Sequence, residues 1–250
     1  MIRHTSRPAR TPARTIAALA SVTVACLALA GCAVIPNPAP ASGPHTEVAH
    51  EVSDAVHALR FETSGDVTVQ LGEVPGLTVR APEPVHEGLT VTEDDGTVVL
   101  GAHGPGIWAA KVEYVLTVRS FDALVLEGAG DVTADFSSAD AVSIRVDGAG
   151  DVRATGVDAT SVEVSVGGTG SVRIAGAAKS GELSVRGAGG VKAADLVLRR
   201  ASADIAGAGD IEVHATESLD ANISGLGDIH VSGSPRITRD ISGLGDVVTG

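Results

Sequence analysis

The chain has 250 residues and carries 31 acidic against 18 basic side chains, a formal charge of −13. Such a surface repels phosphate backbones and anionic headgroups, which argues against nucleic acid as a partner. Only 2% of the residues are aromatic and two are cysteine, so no disulfide framework of the small secreted type is available.

Residues 1–31 contain Arg3, Arg7, Arg10 and Arg14, no acidic residue, and an apolar run from Ile16 to Ala30. That is the charge and length pattern of a secretory signal, not of a spanning helix. The run ends in Leu29-Ala30-Gly31-Cys32, which resembles the lipobox of bacterial lipoprotein precursors. The resemblance implies acylation of the Cys32 thiol, cleavage before it, and attachment to a membrane through that lipid. Cys26 falls in the excised part, so the mature chain has no disulfide. Removing the four arginines leaves 14 basic against 31 acidic residues, a formal charge of −17. Residues 32–46 read as a tether, because Pro36, Pro38, Pro40 and Pro44 favour an extended spacer. The expected location is the cell envelope, on the outer side of the cytoplasmic membrane or in the outer membrane. Ala33, which is not Asp, does not favour retention in the inner membrane of a two-membrane cell.

Residues 47–123 are irregular and are read as an N-terminal β cap with a first coil. Leu59, Phe61, Ser64-Gly65-Asp66, Val67 and Val69 echo a pattern that becomes regular later. Thr90 to Leu100 alternates around Asp94-Asp95-Gly96, a hairpin signal, and Val112 to Val118 is another strand candidate. The mature aromatics Phe61, Trp108, Tyr114, Phe121 and Phe136 all lie at or before position 136. An exposed sheet end invites aggregation, so this region is expected to cover one end of the regular segment that begins at residue 124.

From residue 124 to 250 the chain repeats. Gly-x-Gly segments begin at Gly128, Gly148, Gly168, Gly187, Gly207, Gly225 and Gly243, and five of the seven continue with Asp. Two residues before each stand Leu126, Val146, Val166, Val185, Ile205, Ile223 and Ile241. Four before stand Leu124, Ile144, Val164, Leu183, Ala203 and Ala221, with Arg239 breaking the column. After the turn come Val132, Val152, Val172, Val191, Ile211, Ile229 and Val247, then a second small or aliphatic residue two positions on. This is the period of two of a strand with one face buried, so each repeat reads as strand, tight turn, strand. A single repeat cannot bury its apolar face, whereas stacked repeats bury a continuous column. Coils of 18 to 20 residues are too short for a βαβ unit, and so constant a period is not required of a sandwich. The fold class is therefore all-β, a parallel β-helix.

Gly128-Ala129-Gly130-Asp131-Val132, its copies at 148 and 207, and the tail from Ser224-Gly225-Leu226-Gly227-Asp228 to Ser242-Gly243-Leu244-Gly245-Asp246 resemble the auto-transporter adhesin head domain, or head GIN domain, family. The resemblance covers roughly Val48 to Gly250. It implies a right-handed β-helix in secreted or envelope-bound proteins and brings no catalytic residues.

Three columns carry candidate chemistry. Asp131, Asp151, Asp210, Asp228 and Asp246 share one turn position, interrupted by Ser171 and Gly190. They are expected to accept hydrogen bonds from turn amides, with the glycines permitting positive φ; calcium between coils is the sharper alternative. Arg153, Arg173 and Lys192 should face outward on adjacent coils, either to hold an acidic polymer or to pair with neighbours such as Asp147 and Glu163. His214 and His230 differ in offset from their turns and are not expected to form a metal site. No cofactor or catalytic residue is expected. The leading functional reading is a noncatalytic adhesin-like or interaction module whose partner is an envelope protein or glycan. Two alternatives stand beside it: a polysaccharide-acting β-helix enzyme, which the scarcity of aromatics disfavours, and an envelope scaffold that self-associates through the C-terminal edge.

Overall fold

The computed structural model describes residues 43–104 and 110–250. The signal segment, Cys26, Cys32, most of the tether and Trp108 lie outside the described residues. Alternating segments of the N-terminal part form β1 (His45–His50), β2 (Ala58–Phe61), β3 (Asp66–Leu71), β4 (Gly76–Pro82), β5 (Leu89–Asp94), β6 (Thr97–Ala102) and β7 (Glu113–Val118), with a short 3-10 turn at Glu83–Gly88. The expected hairpin is β5 and β6, paired antiparallel. Asp95 and Gly96 at its tip have φ of 45° and 74°, the left-handed pair that a two-residue hairpin turn demands. His45 and Thr46, expected in the tether, pair with Pro82 and Ala81 as the start of β1.

The repeats form β8 (Ala123–Leu126), β9 (Val132–Asp135), β10 (Ala141–Val146), β11 (Val152–Val166), β12 (Ser171–Val185), β13 (Gly190–Ile205), β14 (Ile211–Ile223), β15 (Ile229–Gly233), β16 (Arg236–Ile241) and β17 (Val247–Thr249). They stack in parallel and in the register that the sequence columns require. Leu124, Ile144, Val164, Leu183, Ala203 and Ala221 sit over one another, as do Val132, Val152, Val172, Val191, Ile211, Ile229 and Val247. The inward residues from Leu124 to Val231 are buried. Arg239 pairs with Ala221 at the last coil, where it is exposed and costs the core little. The architecture is a β-solenoid of about six turns.

Two details differ from the sequence reading. Strands do flank each glycine turn, but in β11 to β14 the second strand of one repeat also runs on into the first strand of the next, giving single strands of 15, 15, 16 and 13 residues. Within β11 the inward positions run Val152, Ala154, then Val157, Ala159, then Val162, Val164, so the alternation slips by one residue twice. Each slip is a corner. β13 slips twice in the same way, at Ala193 to Leu196 and at Leu198 to Ala201, so with the glycine turn these coils have three corners and three straight faces. Gly156 (φ 76°) is the extra residue at the first corner of β11, and Gly176 (φ 139°) lies opposite Val157 just past it.

The second difference concerns the turn glycines. Among their second members only Gly130, Gly227 and Gly245 have markedly positive φ. What the column requires is the absence of a side chain: a Cβ on Gly148 or Gly168 would meet the preceding coil's glycine carbonyl oxygen at 2.0 Å. Turn backbones stack as closely as strands do, and bond: Ala149 N donates to Gly128 O and Thr169 N to Gly148 O, each at 3.0 Å.

The N-terminal strands enter this stack out of chain order. β2 and β3 form a coil whose Thr63-Ser64-Gly65 turn lies against Gly128-Ala129-Gly130. On its other side β6 lies parallel to β2, and β7 parallel to β3. Beyond them β5 pairs antiparallel with β6, β4 with β7, and β1 with β4. Phe61 and Tyr114 pack edge to face at 5.6 Å, and Phe121 and Phe136 meet at 5.0 Å, all fully or almost fully buried. Burial pushes the Tyr114 phenol up to about 12; the Thr63 hydroxyl offsets part of that shift without making a well-formed hydrogen bond to it.

Candidate functional site

Because inward positions are filled by aliphatic side chains, the polar and charged groups that a ligand could meet lie in the outward columns. At the glycine turn the aspartates do accept amide hydrogens, but those of the following coil. Asp131 Oδ1 takes Asp151 N at 3.2 Å, and Asp151 Oδ1 takes Ser171 N at 3.0 Å. Asp210 Oδ1 takes Asp228 N at 2.9 Å, and Asp228 Oδ1 takes Asp246 N at 2.8 Å. Each carboxylate thus ties two coils together. Stacked unit charges about 4.8 Å apart repel by roughly 0.9 kcal/mol in water, which one charge-assisted bond offsets. Among the described residues no group of three His, Cys, Asp or Glu side chains converges as metal ligands would. His214 lies opposite Ser232 and His230 opposite Glu212, so the two do not stack.

One position after the inward valine that follows the turn, Arg153 lies opposite Arg173, and Arg173 opposite Lys192. The column is flanked by Thr133 on one side and Glu212 on the other. Neither acid named as an ordinary partner reaches it. Asp147 pairs instead with Arg145 at 3.1 Å, and Glu163 lines a groove elsewhere on the coil. The ion pairs among the described residues involve other cations. The three cations border a recess of about 280 Å³ shared with Asp131, Asp151, Thr133 and Ser171.

A larger groove, about 630 Å³, runs across the coils before the glycine turn. Ser143, Ser161 and Ser180 line it together with Glu163, Glu182 and Asp220. Glu163 lies opposite Glu182 in register. One step along, Ser165 and Ser184 face outward by register yet are buried, their hydroxyls 3.2 Å apart. The sequence reading missed this groove. Its signal was the run of small hydroxyl side chains at outward positions, where a convex surface usually carries longer ones.

Solved structures with the same fold include one of a putative adhesin from Bacteroides fragilis (24% identity, TM-score 0.80, 85% of this chain and 100% of that chain). A putative adhesin from Parabacteroides merdae is similar at 18% identity and TM-score 0.64, over 85% of this chain and 98% of that one. A protein from Parabacteroides distasonis described as a putative lipid binding protein is similar at 20% identity and TM-score 0.62, over 85% and 99%. At these identities the likeness is one of fold. No curated protein matches the chain. The family model described as "Putative auto-transporter adhesin, head GIN domain" matches residues 56–235. The chain belongs to that family.

Proposed function

We propose that the chain is a noncatalytic cell-envelope lipoprotein, held by lipid on Cys32, whose β-solenoid is an adhesin-like interaction module. The observation that carries this reading is the run of in-register coils from Leu124 to Ile229 in a family named for adhesins. A filled, uninterrupted column is rigid, and it offers ligands rows of outward side chains at fixed spacing, as a recognition surface requires. Crosslinking on intact cells followed by pulldown tests the module, with one reproducible envelope partner or glycan as the expected result. Fractionation of a Cys32→Ala variant tests the anchor, and the variant should move from the membrane to the soluble fraction. Equal membrane retention would overturn the lipid anchor.

A second reading, a scaffold that assembles through the C-terminal coils, is favoured by Leu226 and Leu244. They lie opposite each other at outward turn positions and are 53% and 74% exposed, where earlier coils carry Ala or Thr. Light scattering at high concentration should then give oligomers that Leu226→Ser with Leu244→Ser dissolves. A monomer for the unaltered chain removes this reading.

A further inference from the structure

We propose that the column of Arg153, Arg173 and Lys192 is a binding site for an acidic polysaccharide lying along the solenoid axis. The proposal rests on reading the solenoid as a surface-exposed interaction module.

The column is unfavourable for the fold alone. Like charges directly opposite each other on neighbouring strands destabilise a sheet, and an acid in place of the middle Arg173 would remove both like-charge contacts. The flanking coils have Thr133 and Glu212 at the same position, so the fold itself does not require a cation there. In a chain with 31 acidic side chains, the three cations nevertheless have no ion-pair partner among the described residues. Their spacing, about 4.8 Å per coil, makes a straight row that matches a linear polyanion better than a single small ion.

The recess beside the row selects the kind of polyanion. Asp131 and Asp151 each spend Oδ1 on an amide of the next coil, which leaves the second carboxylate oxygen of each as an acceptor beside the recess that both residues line with Thr133 and Ser171. These groups suit a ligand that brings hydroxyl donors as well as negative charge. A uronic acid chain has both, its carboxylates meeting the cations and its hydroxyls meeting the aspartates. A polyphosphate has only the charge and meets the aspartates unfavourably.

The experiment uses the full lipidated chain in detergent micelles at low salt, with polygalacturonate as the probe, dextran as the neutral control and polyphosphate as the polyanion without hydroxyls. Polygalacturonate should bind, dextran should not, and polyphosphate should bind more weakly. Changing Arg153→Gln, Arg173→Gln and Lys192→Gln together should weaken polygalacturonate binding at least about tenfold. Changing Glu163→Gln and Glu182→Gln in the acidic groove, which alters net charge without touching the row, should not weaken it. The triple variant should melt close to the parent, since the repulsion within the row is lost together with the attraction of Lys192 to the in-register Glu212. Undiminished binding by the triple variant, or no binding by the parent, would overturn the site. Polyphosphate binding as tightly as polygalacturonate would overturn the assignment to a sugar polymer. A melting temperature several degrees lower would make the column structural and overturn it as well. Crosslinking on intact cells needs no polygalacturonate, so failure of the module reading is separately visible.

Discussion

The N-terminal strands and the glycine-turn coils use the same parallel stacking, yet they are built in opposite ways. From β10 onward each coil lies on the one 18 to 20 residues before it, with glycine at every turn and aliphatic side chains inside. In the N-terminal part the β2–β3 coil is gripped between β6–β7 on one side and β8–β9 on the other. Its core uses Phe61 and Tyr114, and antiparallel strands lie beyond it. A repeating column is thus closed by segments that cannot repeat, because a terminal coil has a neighbour on one side only. The terminal coil at the other end illustrates the cost: Ile241, in a column otherwise sealed, is 38% exposed.

The sharpest way to break this contrast is at the glycines. Gly168→Val should cost more than about 4 kcal/mol, beyond the ordinary range for a substitution, because its Cβ meets the Gly148 carbonyl oxygen at 2.0 Å. Gly72→Ala in the N-terminal part should cost much less, since its Cβ meets only the Thr117 methyl. Urea denaturation measures both, and equal losses would refute close backbone stacking as the reason for the glycine column.

Next in size is the gripped coil. Phe61→Ala should lose about 3 to 5 kcal/mol, as large core truncations do, and Ile241→Ala at the open coil well under half of that. Similar losses in the two variants would mean that the β2–β3 coil is not a keystone.

The aromatic end also has an alkaline signature that the aliphatic coils lack. Tyr114 ionises near 12 when folded, against 10.0 for a free phenol. Its contribution is complete below about pH 10 and is lost as pH rises through about 12, because the unfolded chain releases that proton first. The loss is on the order of 2 to 3 kcal/mol. Tyr114→Phe should flatten stability over that window, and an unchanged slope would remove Tyr114 as the cause.

The smallest effects are expected at the aspartate ladder. Asp151→Ala should cost about 1 kcal/mol for the bond to Ser171 N, while Asp151→Asn, which keeps an acceptor, should be nearly neutral. Millimolar calcium should leave the melting temperature unchanged. A rise of several degrees with calcium but not magnesium would reassign the ladder to metal binding.

The repeat made most of the coil region legible in advance. An inward position such as Val164 is recognisable because its own repeat alternates and its equivalents recur at the same offset. The hairpin around Asp95-Gly96 was equally local. The basic column was legible as a register, but its lack of partners was not, since Asp147 is a plausible neighbour until Arg145 is seen to hold it. The groove through Ser161 and Ser180 was not recognised, because concavity arises from corners inside β11 and β12 that a strand, turn, strand scheme leaves out.

The sequence by itself determined the solenoid and which side chains beside the glycine turns face in or out, because both follow from alternation and a period of 18 to 20 residues. Only the tertiary structure decided that β2–β3 lies between two later coils, that Asp131, Asp151, Asp210 and Asp228 bond to the next coil's amide, and that the three stacked cations have no ion-pair partner among the described residues. These depend on which backbone lies about 4.8 Å away across the stack, and one repeat read along its own length does not contain its neighbour.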